Sequence, residues 1–169
     1  MRLMCDEMLL RLGRWLRAAG YDTAIAAGGT DDAALIAHCA AEGRVLLTRD
    51  RHLAAHAAGS VPVLHLAEQT IDAQARALVG RLGIDWLRAP FTRCVIDNAE
   101  LATAPPEAAD NVPPRSREAG GTLRYCPECN RLYWPGGHVR RMREHLASWA
   151  GGAAGASGLC SGSGEGKLT

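Results

Sequence analysis

The chain has 169 residues, of which 47% are hydrophobic and 22% charged, and its formal net charge is +1. That apolar content supplies a core and excludes global disorder, and the length suits one domain or a domain with a small module. No apolar run approaches the roughly 18 residues of a membrane span; Met1–Asp6 carry Arg2 and an acid rather than a signal-peptide core, so a cytoplasmic protein is expected.

Short apolar runs alternate with amphipathic stretches through the first 85 residues. Arg2–Cys5 reads as a brief strand ending at Asp6. Glu7–Ala19 then places Met8, Leu12, Trp15, Leu16 and Ala19 on one helix face, and Gly20 stops it. Thr23–Ala26 is a second strand. Thr30 is the expected N-cap of a helix opened by Asp31 and Asp32 and stopped at Gly43. Arg44–Thr48 has the apolar centre of a strand buried on both faces. A short helix over Arg51–Ala58, a strand over Val61–Leu66 and a helix over Thr70–Leu82 follow. Strand–helix repetition predicts an α/β fold, an open parallel sheet flanked by helices. From Ile84 the periodicity fades. Ala102–Gly121, rich in Pro, Ala and acids, reads as a loop. Order returns over Thr122–Trp149 with a helix at 139–149, and the Gly/Ser-rich segment 150–169 is expected to be disordered.

In open parallel sheets ligands bind outside the carboxyl ends of the strands. Asp6 follows the first strand and Asp50 the third, while Asp31 and Asp32 stand at a helix start on the same rim. Each could serve singly as a cap or a dipole partner. Together, like charges on one rim suit a hard divalent cation, Mg²⁺ or Mn²⁺, with positions open to phosphate and water. Arginines stand nearby: 18 of the 19 basic residues are arginine, Lys167 being the exception, a bias that GC-rich coding explains most simply. Arg11 and Arg14 lie toward the strand ends, Arg17 fits a solvated helix face, and Arg49 and Arg51 flank Asp50. Guanidinium forks bind phosphate bidentately.

CDEMLLRLGRWLRAAGYDT followed by DDAALIAHCAAEGRVLLTRDRHL resembles the Mut-seven C-terminal RNase domain family, a PIN-like nuclease domain. Asp6, Arg11, Leu12, Arg14 to Arg17, Gly20 to Asp22 and Arg44 to Arg51 carry the resemblance, which extends over about residues 1–149. It implies metal-dependent RNA hydrolysis with Asp6, Asp32 and Asp50 as ligands of Mg²⁺ or Mn²⁺. The spacing to Leu35 favours Asp32 over Asp31 as the middle acid, and Asp31 or Asp22 would be a fourth. Arg11, Arg14 and Arg49 would bind substrate phosphate. Thr48 would position water, or simply be a buried strand-end hydroxyl.

Six cysteines in such a chain argue against a disulfide framework. Cys5 and Cys39 lie in apolar runs and read as core, and Cys160 lies in the C-terminal segment. Cys126-Pro-Glu-Cys129 can grip one tetrahedral ion, and no thioredoxin-like pattern surrounds it. The family's zinc ribbon resembles this region, reading CxxCN and then CxxCxxxYWxGxH. Tyr133, Trp134, Gly136 and His138 match, but Asp97 stands where the second cysteine belongs. The expected Zn²⁺ ligands are Cys94, Asp97, Cys126 and Cys129, with His138 the alternative fourth and an empty site the third option. Tyr133 and Trp134 are expected to pack the ribbon on the main domain rather than stack bases, beside a basic run from His138 to His145.

The resulting expectation is a ribonuclease with a PIN-like domain at 1–88 and a zinc ribbon at 91–149, acting on tRNA or another structured RNA. A non-catalytic RNA-binding or ribosome-associated module is the rival. An aspartyl-phosphate enzyme lacks the DxD it would need, and an antitoxin partner stays compatible with the nuclease.

Overall fold

A computed structural model of the chain describes residues 1–114 and 120–151. Strands β1 (Arg2–Cys5), β2 (Asp22–Ile25), β3 (Val45–Thr48) and β4 (Val63–His65) form one sheet in the order β2-β1-β3-β4. Every neighbouring pair is parallel. Alternation along the strands sends Leu3, Cys5 and Leu47 to one face and Met4 and Leu46 to the other. The first face is covered by α1 (Leu10–Ala18), α4 (Ile71–Leu82) and α5 (Gly137–Ala150), through Leu12, Leu16, Leu78 and Leu146. The second is covered by α2 (Asp32–Glu42) and α3 (Arg51–Ala57), through Leu35, Cys39, Leu53 and Ala57. The chain leaves β1 toward β2 and returns on the opposite side as β3. That reversal opens a crevice at the carboxyl ends of β1 and β3.

Local chemistry sets the boundaries. Asp6 caps a 3₁₀ turn over Glu7–Leu9, so the expected single helix over Glu7–Ala19 is a 3₁₀ turn and then α1. Asp31, not Thr30, caps α2: its Oδ2 accepts from the amides of Ala33 and Ala34 at 3.0 and 3.2 Å. The Thr30 hydroxyl donates instead to the Ala27 carbonyl at 2.7 Å. Gly13 lets α1 lie close on the sheet, because a Cβ there would stand 2.7 Å from Ile25. Gly20 ends the helix at φ +93°, where a Cβ would come within 2.4 Å of the Ala89 carbonyl oxygen.

The segment expected to be a loop at 102–121 contains strand β5 (Ala102–Thr103), a 3₁₀ turn over Pro106–Asn111 and the buried Val112. With β6 (Arg124–Tyr125) and β7 (Leu132–Tyr133), β5 forms a small antiparallel sheet. Strands of two residues carry no period for a sequence reading to detect. The irregular stretch from Ile84 also returns to the core, Ile84 and Trp86 being buried. Trp149 of α5 packs edge-on against Trp15 at 5.1 Å and Trp86 at 4.8 Å, and its Nε1 donates to Asp72 Oδ1 at 2.8 Å. Burying an indole removes about 200 Å² from water, on the order of 5 kcal/mol at about 25 cal/mol per Å². Through Leu146 and Trp149 the helix that follows the small sheet therefore completes the core of the parallel one. Cys5 and Cys39 are buried core residues as expected. Cys160 and the remainder of the C-terminal segment from 152 onward lie outside the described residues.

Candidate acidic site and cysteine metal centre

Asp6, Asp32 and Asp50 line one small cleft of about 90 Å³ in the crevice beyond β1 and β3. Glu7 joins them, and among the described residues no cationic side chain lines this cleft. Asp6 is almost wholly buried: Oδ1 accepts from the Leu9 amide at 3.1 Å, and Oδ2 accepts from the Thr48 hydroxyl and from the Arg49 amide at 3.1 Å. Thr48 thus serves as a buried strand-end hydroxyl whose bond fixes Asp6; its Oγ1 also accepts from the Asp50 amide at 2.9 Å. Asp50 caps α3 through Oδ1, at 2.7 Å from the His52 amide and 3.3 Å from that of Leu53. Its other oxygen keeps its lone pairs, and Asp32 is exposed without a protein partner among the described residues. Glu7 Oε2 accepts from the Gly29 amide at 2.9 Å, tying the loop before α2 to the cleft.

The other two acids weighed from sequence lie elsewhere. Asp31 is spent on capping α2 and does not line the cleft. Asp22 starts β2, at the amino end of the sheet and away from the cleft, where it accepts from Arg44 at 2.8 Å, Asn98 at 2.7 Å and Arg2 at 3.1 Å. Burial would raise its carboxyl, but these three donors outweigh burial and hold it well below the usual carboxylate range. Arg11 and Arg14 are exposed on α1. The Arg49 side chain turns away from the acids to Gln69, in a separate small cavity with Arg51 and His65. Arg17 does not belong to a solvated face. It is buried and donates through Nε to the Thr23 carbonyl at 2.7 Å and through Nη1 to the carbonyls of Val95, at 3.2 Å, and Ile96.

Cys94, Asp97, Cys126 and Cys129 have ligand atoms within 4.8 Å of one another, the one such set of three or more among the described residues. Asp97 Oδ2 stands 3.3 Å from the sulfurs of both Cys94 and Cys126, and Cys94 Sγ is 3.9 Å from Cys129 Sγ. A zinc tetrahedron with Zn–S near 2.3 Å and Zn–O near 2.1 Å has edges of about 3.8 Å (S···S) and about 3.6 Å (S···O). Three thiols and a carboxylate at these spacings fit that ion with little movement. His138 is exposed at the start of α5 and outside the set.

Two matching turns build the cluster. In Cys94-Val-Ile-Asp97-Asn98 the Asn98 amide donates to the Cys94 carbonyl at 3.0 Å, and in Cys126-Pro-Glu-Cys129-Asn130 the Asn130 amide donates to that of Cys126 at 2.9 Å. Both asparagines are left-handed, at φ 69° and 56°, a conformation asparagine tolerates better than most residues. Asp97 therefore occupies in its turn the place Cys129 occupies in the other. Burial opposes ionisation of Cys94, yet hydrogen bonds from the Tyr133 hydroxyl and the backbone lower it, while burial pushes Cys126 up to about 12. Tyr133 lies 3.1 Å from Cys94 Sγ, so it packs within this cluster and not against the main sheet. Asn98 docks the first turn onto β2, accepting from the Thr23 amide at 2.9 Å while donating to Asp22.

The family model for the Mut7-C RNAse domain matches residues 1–146, spanning the acidic cleft, both cysteine turns and most of α5. The chain belongs to the Mut7-C RNAse domain family. No curated protein and no solved structure matches it. Membership gives this Mut7-C domain a nuclease-like role, with RNA as the implied class of substrate. No helix among the described residues is long and apolar enough to cross a membrane. Sequence reasoning gave no role to Glu7, although it directly follows Asp6, and none to Asn98 and Asn130, although an asparagine directly follows each pair of candidate ligands.

Proposed function

We propose that this Mut7-C domain is a cytoplasmic metal-dependent ribonuclease that hydrolyses RNA phosphodiester bonds at the cleft of Asp6, Asp32 and Asp50. The observation that carries the proposal is an inner surface lined by four carboxylates and, among the described residues, no cation, at the switch point of a parallel sheet. Amide and hydroxyl donors hold Asp6, Glu7 and Asp50, but none of the four carboxylates is ion-paired with a described residue, so no described cationic side chain offsets their repulsion. An all-oxygen donor set suits Mg²⁺ or Mn²⁺. The carboxylates stand wider apart than the cysteine cluster does, which suits an ion that keeps several waters and takes only a few protein ligands.

Asp6, held by three donors, is the rigid ligand; Asp32 and the free oxygen of Asp50 complete the set, and Glu7 lies beside them. A divalent cation held by these carboxylates would supply positive charge for the scissile phosphate and acidify a water for attack on it. Arg11 and Arg14, on the helix that begins beside the cleft, hold substrate phosphates. In this reading the main sheet is PIN-like, and Cys94, Asp97, Cys126 and Cys129 hold a structural Zn²⁺ in a ribbon that shapes the RNA-binding surface.

The test is cleavage of total tRNA and of single-stranded RNA with Mg²⁺, with Mn²⁺ and with EDTA, beside Asp50→Asn. Asparagine caps helices about as well as aspartate, so this variant keeps its fold. Metal-dependent cleavage that falls at least about a hundredfold in the variant supports the proposal. RNA binding without cleavage under any metal transfers the assignment to a non-catalytic RNA-binding module, with Asp6 and Asp50 acting as caps alone.

A further inference from the structure

A groove of about 560 Å³, far roomier than the acidic cleft, lies between the segment around Phe91, the turn after β7 and the first turns of α5. Phe91 and Trp134 present half-buried aromatic surface to it, and Pro135 adds a third apolar wall. Phe91 holds φ 61°, a conformation bulky residues rarely adopt, and its amide is anchored on the Ala18 carbonyl at 2.8 Å.

Among the described residues the charge lining this apolar surface has one sign: Arg124, Arg140 and Arg143 line the groove and no described acid does. The Arg143 guanidinium lies 5.4 Å over the Phe91 ring. Arg140 reaches only the exposed Glu144 of its own helix, at 3.9 Å, and neither Arg124 nor Arg143 is ion-paired with a described residue. The N-terminus of the 14-residue α5 opens on the same groove, and its cap, Gly136, offers no side-chain acceptor. Aromatic faces beside three guanidiniums, only one of them in a long ion pair with a described residue, and the first amides of a helix suit a ligand with flat rings and phosphates, as single-stranded nucleic acid has.

We infer that this groove is a binding subsite for a single-stranded stretch of the RNA substrate, separate from the cleavage site: a base stacks on Trp134 and Phe91, and its phosphates meet Arg140, Arg143 and the start of α5. The inference rests on RNA being the substrate. Phe91 is anchored at the C-terminal end of α1, whereas the acidic cleft opens at the N-terminal side of that helix. Nine residues of α1 separate them by about 13 Å, with the exposed Arg11 and Arg14 along the way. The substrate therefore spans from cleft to groove and carries an unpaired segment several nucleotides from the cut.

The test measures fluorescence anisotropy of a labelled oligouridylate, and of a labelled RNA hairpin without overhangs, in the Asp50→Asn background so that no cleavage intervenes. Trp134→Leu is expected to weaken oligouridylate binding about 5- to 100-fold while leaving the hairpin nearly unchanged, and Trp134→Phe is expected to restore most of it. Arg140→Ala with Arg143→Ala is expected to lower the salt slope by about 0.7 per lost contact. All variants are first shown to keep the parent melting temperature and metal content. Parent-like affinity and salt slope in Trp134→Leu and in the double arginine variant overturn the inference. So does an equal loss on both probes, or failure of the parent to bind oligouridylate, which would leave the groove to a protein partner. If the wild type cleaves no RNA but the groove variants lose oligouridylate, the catalytic reading fails and the groove stands.

Discussion

Arg17→Met tests whether a buried guanidinium fastens the Cys94–Asp97 turn to the parallel sheet. Arg17 is 6% exposed and serves three backbone carbonyls, those of Thr23, Val95 and Ile96. The last two lie between Cys94 and Asp97, the proposed zinc ligands of that turn. Methionine keeps much of the apolar stem and removes every donor. At about 1 kcal/mol net for each lost bond, the cost is about 3 kcal/mol. For a chain of this size that lowers Tm by about 6–12 °C. Because the freed carbonyls position two ligands, zinc affinity is also expected to fall on the order of tenfold. Arg17→Lys retains the charge but cannot fork to three acceptors, so an intermediate loss is expected. Circular-dichroism melting with a chelator competition assay measures both quantities. A Tm within about 2 °C of wild type would refute the reasoning, for the three bonds would then be worth no more than water supplies.

The Asp22–Arg44 pair gives the fold an acid-sensitive contact. A carboxyl held below its ordinary value stabilises the native state fully above about pH 5, and that contribution is lost as pH falls through the ordinary carboxylate range toward the folded value. Asp22→Asn is expected to cost about 2–3 kcal/mol at neutral pH, since both side chains are mostly buried, and to flatten the loss of stability on acidification. Urea titrations across that range check it, and an unchanged pH slope counts against it. Cys126→Ser is expected to abolish stoichiometric zinc, read by elemental analysis, and to unfold the small sheet ahead of the parallel one, read by hydrogen exchange over residues 102–103 and 124–133. Retention of the metal would mean that His138 or another donor completes the site.

The parallel sheet, its helices, the acids at the strand ends and the two turns that carry Cys94, Asp97, Cys126 and Cys129 were legible in the sequence. Each is written in local chemistry: apolar runs for β1 and β3, caps at Asp6 and Asp50, and metal-binding residue types paired with two residues between them. The burial of Arg17 was nearly legible. Six residues turn an α-helix through about 600°, which sets Arg17 about 120° from Arg11 and off the exposed stripe. Which way that side faces, however, depends on the turn at Val95 and Ile96, distant in the chain. Long-range packing alone brings Glu7 to the cleft of Asp32 and Asp50, closes the core with Trp149 on Trp15 and Trp86, and places Phe91 and Trp134 in one groove with three arginines. Those meetings join residues far apart in sequence, and no local period or spacing records a contact made by the return of the chain.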